Sequence, residues 1–238
     1  MTNLDAIWNQ ARSDLVIIAK NGDQDLFLWE HSAQVARYAR LIARCPIVEE
    51  QSPDELAIMA AALYHDAGWS ASFRDGEVAR TDILTRAAPD THREKGASLM
   101  ERSLAGLVPG KTLRRASEAV RALNDRAVEL VEAHVVADAD NLGEFCLLAL
   151  WTTARRSMLD GKGVQAAIDT WHRRKEYQFW TARLNDSFRF APVRELARTR
   201  LARFERAMAE LEEHYLGTDI TVVLSAGRGD RVGEPATR

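Results

Sequence analysis

From Leu56 to Tyr64 the chain carries nine residues whose only polar side-chain group is the Tyr64 hydroxyl, and His65 and Asp66 follow at once. A helix that is apolar all round must be buried on every side, so this one belongs at the centre of the fold with other helices packed against it. His65 and Asp66 then lie on its last turn, where an unpaired carboxylate costs several kcal/mol. A divalent cation offsets that cost economically. Adjacent helical residues point about 100° apart, so the two side chains share one ion only near the helix end, with further ligands arriving from other helices.

The remaining chain reads as helix after helix. Residues 4–19 put Ile7, Trp8, Ala11 and Leu15 on one stripe, a helix expected to lie on the core as a lid. Between 25 and 43, Leu28, His31, Val35, Ala39 and Ile42 share a face, which turns His31 inward. Ser52, Pro53 and Glu55 form a capping-box pattern with Pro at the first helical position, and Gly68 reads as the C-cap of the central helix. Residues 69–89 have no sustained period and are expected to form a long mobile loop beside the site. Thr91 and Glu94 repeat the capping-box pattern, which places His92 in a first turn whose free N–H groups attract anions. Further helices are expected over 112–123, briefly before His134, and over 145–151. The last is apolar enough to be central, with Asp138, Asp140 and Asn141 at its head, Asp140, Leu147 and Trp151 on one face, and Gly143 leaving room for something bulky. Residues 164–184 and 192–216 read as structural helices, and residues 220–224 as a brief strand before the glycines at 227, 229 and 233. The expected architecture is all-α: one helical domain over 1–216 and a flexible tail over 217–238.

Charge and composition narrow the function. Lys plus Arg number 32 against 35 Asp plus Glu, with no basic stripe, which argues against a grip on a nucleic-acid duplex. The N-terminus lacks a basic, apolar leader pattern and no run is long enough to span a bilayer, so a cytoplasmic protein without a membrane partner is expected. Cys45 and Cys146 are far apart in sequence and lie in helical patterns, as reduced packing thiols do.

His31, His65, Asp66 and Asp140 come from three separate helices and all fall on inward positions. Two imidazoles and two carboxylates make a hard, open set that suits a divalent Mn, Fe, Co, Ni, Zn or Mg ion. Their order resembles that of the HD-domain metal-dependent phosphohydrolases. Glu30, His31 and Ser32 look like the family's first motif, Tyr64, His65, Asp66 and Gly68 like its signature doublet, and Ala139, Asp140, Asn141 and Leu142 like its last. The resemblance covers residues 25–155. It implies a single HD-type helical bundle, one metal held by His31, His65, Asp66 and Asp140, and hydrolysis of a small phosphate ester, with nucleotides the usual substrates. Asp66 would ligate and also orient the attacking water.

The stretch from His92 to Ala97 is similar to a fourth family segment, which in some members sends a histidine toward a second metal. Those members carry one more histidine on the next helix, whereas here that helix ends in Leu123 and Asn124, which puts a standard two-metal site in doubt. His92 is therefore expected to act as an acid or to approach a second ion, the plainer alternative being a surface residue of its helix cap. Arg93 or Lys95 would neutralise phosphoryl oxygens. Asp138, about 200° round the helix from Asp140, is expected to orient or cap rather than ligate. His134, His172 and His214 are expected to be structural or solvated. Two other readings stay open: an HD-type di-iron oxygenase, which would need more histidines, and a binding module in which the metal only staples the fold. Self-association also stays open.

Overall fold

The computed structural model describes residues 3–123 and 125–226. Its helices, in chain order, are α1 (Asn3–Leu15), α2 (Phe27–Ile42), α3 (Pro46–Glu49), α4 (Glu55–Tyr64), α5 (Gly68–Arg74), α6 (His92–Leu104), α7 (Gly110–Arg121), α8 (Val131–Gly143), α9 (Leu148–Leu159), α10 (Val164–Glu176), α11 (Phe179–Asp186), α12 (Ala191–Leu216) and α13 (Thr218–Ala226). Two short antiparallel strands, β1 (Ile17–Ile18) and β2 (Gln24–Asp25), form a ribbon after α1. The fold is all-α apart from this ribbon, and among the described residues no helix is long and apolar enough to cross a membrane.

Helix α4 occupies the centre, and every residue from Ala57 to Tyr64 is completely buried. α1, α2, α6, α7 and α8 pack around it. Its start differs from the capping-box expectation. Asp54, not Ser52, is the N-cap, and its carboxylate accepts the Ala57 N–H at 3.0 Å. Thr112 on α7 donates to the other Asp54 oxygen at 2.8 Å, and Glu132 on α8 accepts the Asp54 N–H at 2.8 Å, so the cap is fixed by tertiary contacts that local pattern does not reveal. Gly68 does not cap α4 but opens α5.

The segment after the signature doublet is more ordered than a long loop. α5 and a 3-10 turn at Arg80–Asp82 interrupt it, and Trp69 and Ile83 are buried. α1 is likewise a core element rather than a lid: Ile7, Ala11 and Leu15 are fully buried. Its C-terminal end is tied down at Asp14, whose carboxylate accepts the Tyr64 hydroxyl at 2.7 Å and whose carbonyl accepts Ser70 Oγ at 2.6 Å and Arg74 Nη2 at 2.7 Å.

Toward the C-terminus the expected boundaries shift. Asp138, Asp140 and Asn141 belong to α8, which is the central helix here; the run over 145–151 straddles a turn into α9 and leaves Leu147, Leu148 and Trp151 more than half exposed. Asp140 therefore does not share a helix face with Leu147 and Trp151. Residues 164–184 divide into α10 and α11 at Gln178, which takes a left-handed conformation with φ of 54°. No separate helix precedes α8 among the described residues, and α7 starts at Gly110 rather than 112. After Gly217, in the left-handed region at φ 68°, the chain continues as helix α13 rather than a strand; the rest of the expected tail, residues 227–238, lies outside the described residues.

The packing of α12 begins at α8. Asp138 is fully buried, and its two oxygens accept the N–H groups of Arg189 at 2.8 Å and Phe190 at 3.0 Å, while Asn141 Nδ2 donates to the Ser187 carbonyl at 3.1 Å. Burial pushes the Asp138 carboxyl up to about 6 against the pull of those two N–H groups. Asp138 thus holds the segment that leads into α12 and is turned away from the candidate ligands.

Candidate metal centre and cleft

Three helices packed against one another deliver the site. His31 stands on α2, His65 and Asp66 on the turn that ends α4, and Asp140 on α8. The two imidazole Nε2 atoms approach to 3.2 Å. Asp66 Oδ2 lies 3.5 Å from each of them, and Asp140 Oδ1 lies 3.5 Å from His31 and 3.7 Å from His65. The ligand atoms of His31, His65 and Asp66 all fall within 4.8 Å of one another, a group able to hold a metal ion.

Ring orientation and two ionised carboxylates suit such an ion. His65 Nδ1 lies 2.8 Å from the Ala62 carbonyl, which can only accept, so Nδ1 carries a hydrogen and Nε2 is the ring atom that faces the centre. Burial raises the carboxyl of Asp66, but His65, His31, His92 and Arg93 outweigh it and hold the group well below the usual carboxylate range. Asp140 is lowered in the same way against its own burial, by His65 and His31. For His31, burial disfavours the charged form, yet Asp66 and Asp140 raise its pKa overall. Two carboxylates and two imidazoles gathered here are donor types that suit a divalent ion.

The other side of Asp66 is also engaged. His92 Nε2 donates to Asp66 Oδ1 at 3.0 Å, and Arg93 Nη1 reaches the same oxygen at 3.3 Å and the His65 carbonyl at 2.5 Å. His92 is only 3% exposed and lies edge-on to Trp69, with ring centroids 5.3 Å apart. It is neither a surface residue nor one of those that line the cleft described below; it stands behind Asp66. Its helix lacks the expected capping box: Thr91 makes no side-chain cap bond, and Glu94 instead pairs with Arg121 on α7 at 2.7 Å. Close approach here needs glycine. A Cβ on Gly68 would lie 2.2 Å from the His92 carbonyl oxygen, and one on Gly96 would lie 3.1 Å from Gly68 N.

A cleft of about 540 Å³ opens over the centre, with His31, Asp66, Asp140 and Arg93 on its floor. Gly143 lines it, as the missing side chain suggested. Lys95 does not. It pairs with Glu77 and, at 3.3 Å, with Asp75, and it faces a separate hollow between α5 and α6. The opposite wall comes from α9 and α10, which pattern alone assigned no part in a site; Arg156, Lys162, Arg173 and Arg174 stand on it. One at a time these read as solvated charges, and no spacing in the sequence marks them out. The remaining histidines are used elsewhere where contacts exist: His134 Nε2 lies 3.0 Å from the Val128 carbonyl, and His172 pairs with Glu212 at 2.9 Å.

The family model for the HD domain matches residues 28–143, the stretch that carries α2, α4, α6 and α8, so these residues form an HD domain, a domain of the metal-dependent hydrolase superfamily. Among solved structures the chain is similar to Bacillus subtilis YpgQ in complex with ADP, at 19% identity and a TM-score of 0.57, over 89% of this chain and 97% of that one. A second structure of Bacillus subtilis YpgQ matches at 18% identity and a TM-score of 0.57, over 89% and 95% of the two chains. At that identity the likeness is one of fold. No curated protein matches.

Proposed function

We propose that this protein is a metal-dependent phosphohydrolase that cleaves a phosphate ester of a nucleotide or another small phosphorylated metabolite. The observation that carries this reading is the position of a four-ligand, metal-type set on the floor of a cleft rich in cations. His31, His65, Asp66 and Asp140 would hold the ion, of which the ligand types admit Mn, Fe, Co, Ni, Zn or Mg. When bound, such an ion supplies Lewis acidity to a phosphoryl oxygen and to the attacking water.

The chain's own residues do the rest. Asp66 splits its two oxygens: Oδ1 is claimed by His92 and Arg93, which leaves Oδ2 turned to the histidines. Arg93, pinned to the His65 carbonyl, presents its guanidinium at the cleft floor, where it neutralises non-bridging oxygens. His92 acts through Asp66 and fixes that carboxylate's rotation, so it is a positioning residue. Trp69 and Leu84 add apolar surface that limits water over the reacting group. YpgQ, which shares the fold, has been crystallised with ADP, and a ligand of that chemical class suits the charge of this cleft.

The test is metal analysis and a phosphate-release panel on protein purified with Mn, Fe or Co. Bound metal with release of inorganic phosphate from at least one small ester is the expected result, with both lost in Asp66→Ala. Two irons with O₂ consumption would make the protein an oxygenase; bound metal with neither activity would make the ion a structural staple.

A further inference from the structure

The two walls of the cleft have different origins. The floor and its ligands lie inside the matched family segment, 28–143, whereas the facing wall, α9 and α10, lies wholly beyond it. In all, six cationic side chains and four carboxylates line the cleft, and two of those carboxylates belong to the metal set. On the far wall neutralisation is slight. Arg156 and Arg173 have no carboxylate partner among the described residues, Arg174 reaches Glu144 only at 3.9 Å, and Lys162 reaches Asp160 at 3.7 Å. Some other arginines of this chain are closely paired, as Arg121 is with both Glu94 and Glu101 and Arg155 with Asp25 at 2.6 Å. Like charges gathered on one wall repel unless an anion joins them.

The wall is also long. Ala166 and Arg173 both line it, and at 1.5 Å per residue they stand about 10 Å apart along α10. A single phosphate bound at the floor leaves most of that length empty. We infer that the α9–α10 wall is a subsite for a phosphate chain, so that the cleft takes a substrate with contiguous phosphates, a diphosphate or triphosphate, in preference to a lone monoester. The inference rests on the phosphohydrolase reading for the reaction but not for the binding.

Calorimetric titration of the full chain, stripped of metal with a chelator, separates the two. Inorganic tripolyphosphate and orthophosphate are the probes. Tripolyphosphate is expected to bind at least roughly tenfold more tightly, the equivalent of one charge-assisted contact, and to weaken as salt rises. The double variant Arg156→Ala/Arg173→Ala changes two exposed side chains and is expected to lose about tenfold or more in tripolyphosphate affinity. Lys175→Ala removes a charge from the same helix, where Lys175 faces Glu205 instead of the cleft, and is expected to bind tripolyphosphate within about twofold of the parent. Equal affinity for the two anions, or undiminished tripolyphosphate binding in the double variant, overturns the inference. Selective tripolyphosphate binding without hydrolysis of any phosphate compound supports the subsite and removes the phosphohydrolase reading; monoester hydrolysis without tripolyphosphate selectivity does the reverse.

Discussion

At Asp66 four side chains of the site converge, and its two oxygens serve different masters. Because His92 holds Oδ1 from behind, His92→Ala is expected to lower metal affinity about 10–100-fold and turnover with it, while His92→Gln, which keeps an N–H donor, recovers part of both. Metal titration and steady-state kinetics on the two variants check this; unaltered metal affinity with lowered turnover would instead give His92 the proton-donor role that the sequence suggested. Gly68 offers a second test at the same place, because two effects oppose there. Alanine is a better helix former than glycine by about 1 kcal/mol, but its Cβ would press into the His92 carbonyl at 2.2 Å. Overpacking costs of about 1–3 kcal/mol outweigh that gain, so Gly68→Ala is expected to lower the midpoint of denaturant unfolding and to weaken metal binding in the same variant.

Among the elements, α4 is legible from sequence because a run without charge has only one place to go, and His31 because α2 keeps a clean period around it, whereas Asp140 shows only through its motif, Ala139 to Leu142, and the pattern sets it on the wrong helix. The caps are not, since Glu94 gives its carboxylate to Arg121 on a distant helix, and Asp54 is fixed as the cap of α4 by Thr112 and Glu132, partners that no local pattern names. The cationic wall is hidden for a related reason: only the folding of α9 back against α10 turns Arg156 and Arg173 onto one cleft. What secures α9 to the body is a fork between Arg155 and Asp25 on β2, at 3.1 and 2.6 Å, with the guanidinium 4.3 Å over the Phe27 ring. Burial raises the Asp25 carboxyl, but the Arg155 bond and the Phe27 N–H lower it further, so its pKa in the fold lies below the usual carboxylate value. A depressed folded-state pKa stabilises above the unfolded value and is lost as pH falls through the folded one. Asp25→Asn is therefore expected to cost about 1–2 kcal/mol near neutrality, with the gap to the parent closing as the pH drops below about 4. Urea unfolding at several pH values measures it; a gap independent of pH would remove the ion pair as its cause.

At the level of the whole molecule, one ion would join α2, the end of α4 and α8 around the most buried part of the chain. A ligand that binds only the folded state, present at a hundredfold over its Kd, stabilises by about 2.7 kcal/mol, which for a chain of this size is roughly 5–10 °C in Tm. Chelation is expected to lower Tm by that order in the parent and to leave Asp66→Ala unmoved; a parent indifferent to chelator would argue that no ion ties these helices together. The grip of α8 on the segment before α12 sets a limit of another kind. Asp138 and Asn141 flank Asp140 in sequence, and both are satisfied by the backbone of residues 187–190. A chain cut after Glu176 would retain all four ligands and every cation of the cleft, yet Asp138 would lose both of its donors, and Phe145 and Trp171 would lose the rings of Trp180, Phe188 and Phe204 that pack on them. The smallest fragment that can carry this centre is thus longer than the set of residues that touch it, and its boundary is drawn by a carboxylate that faces the other way.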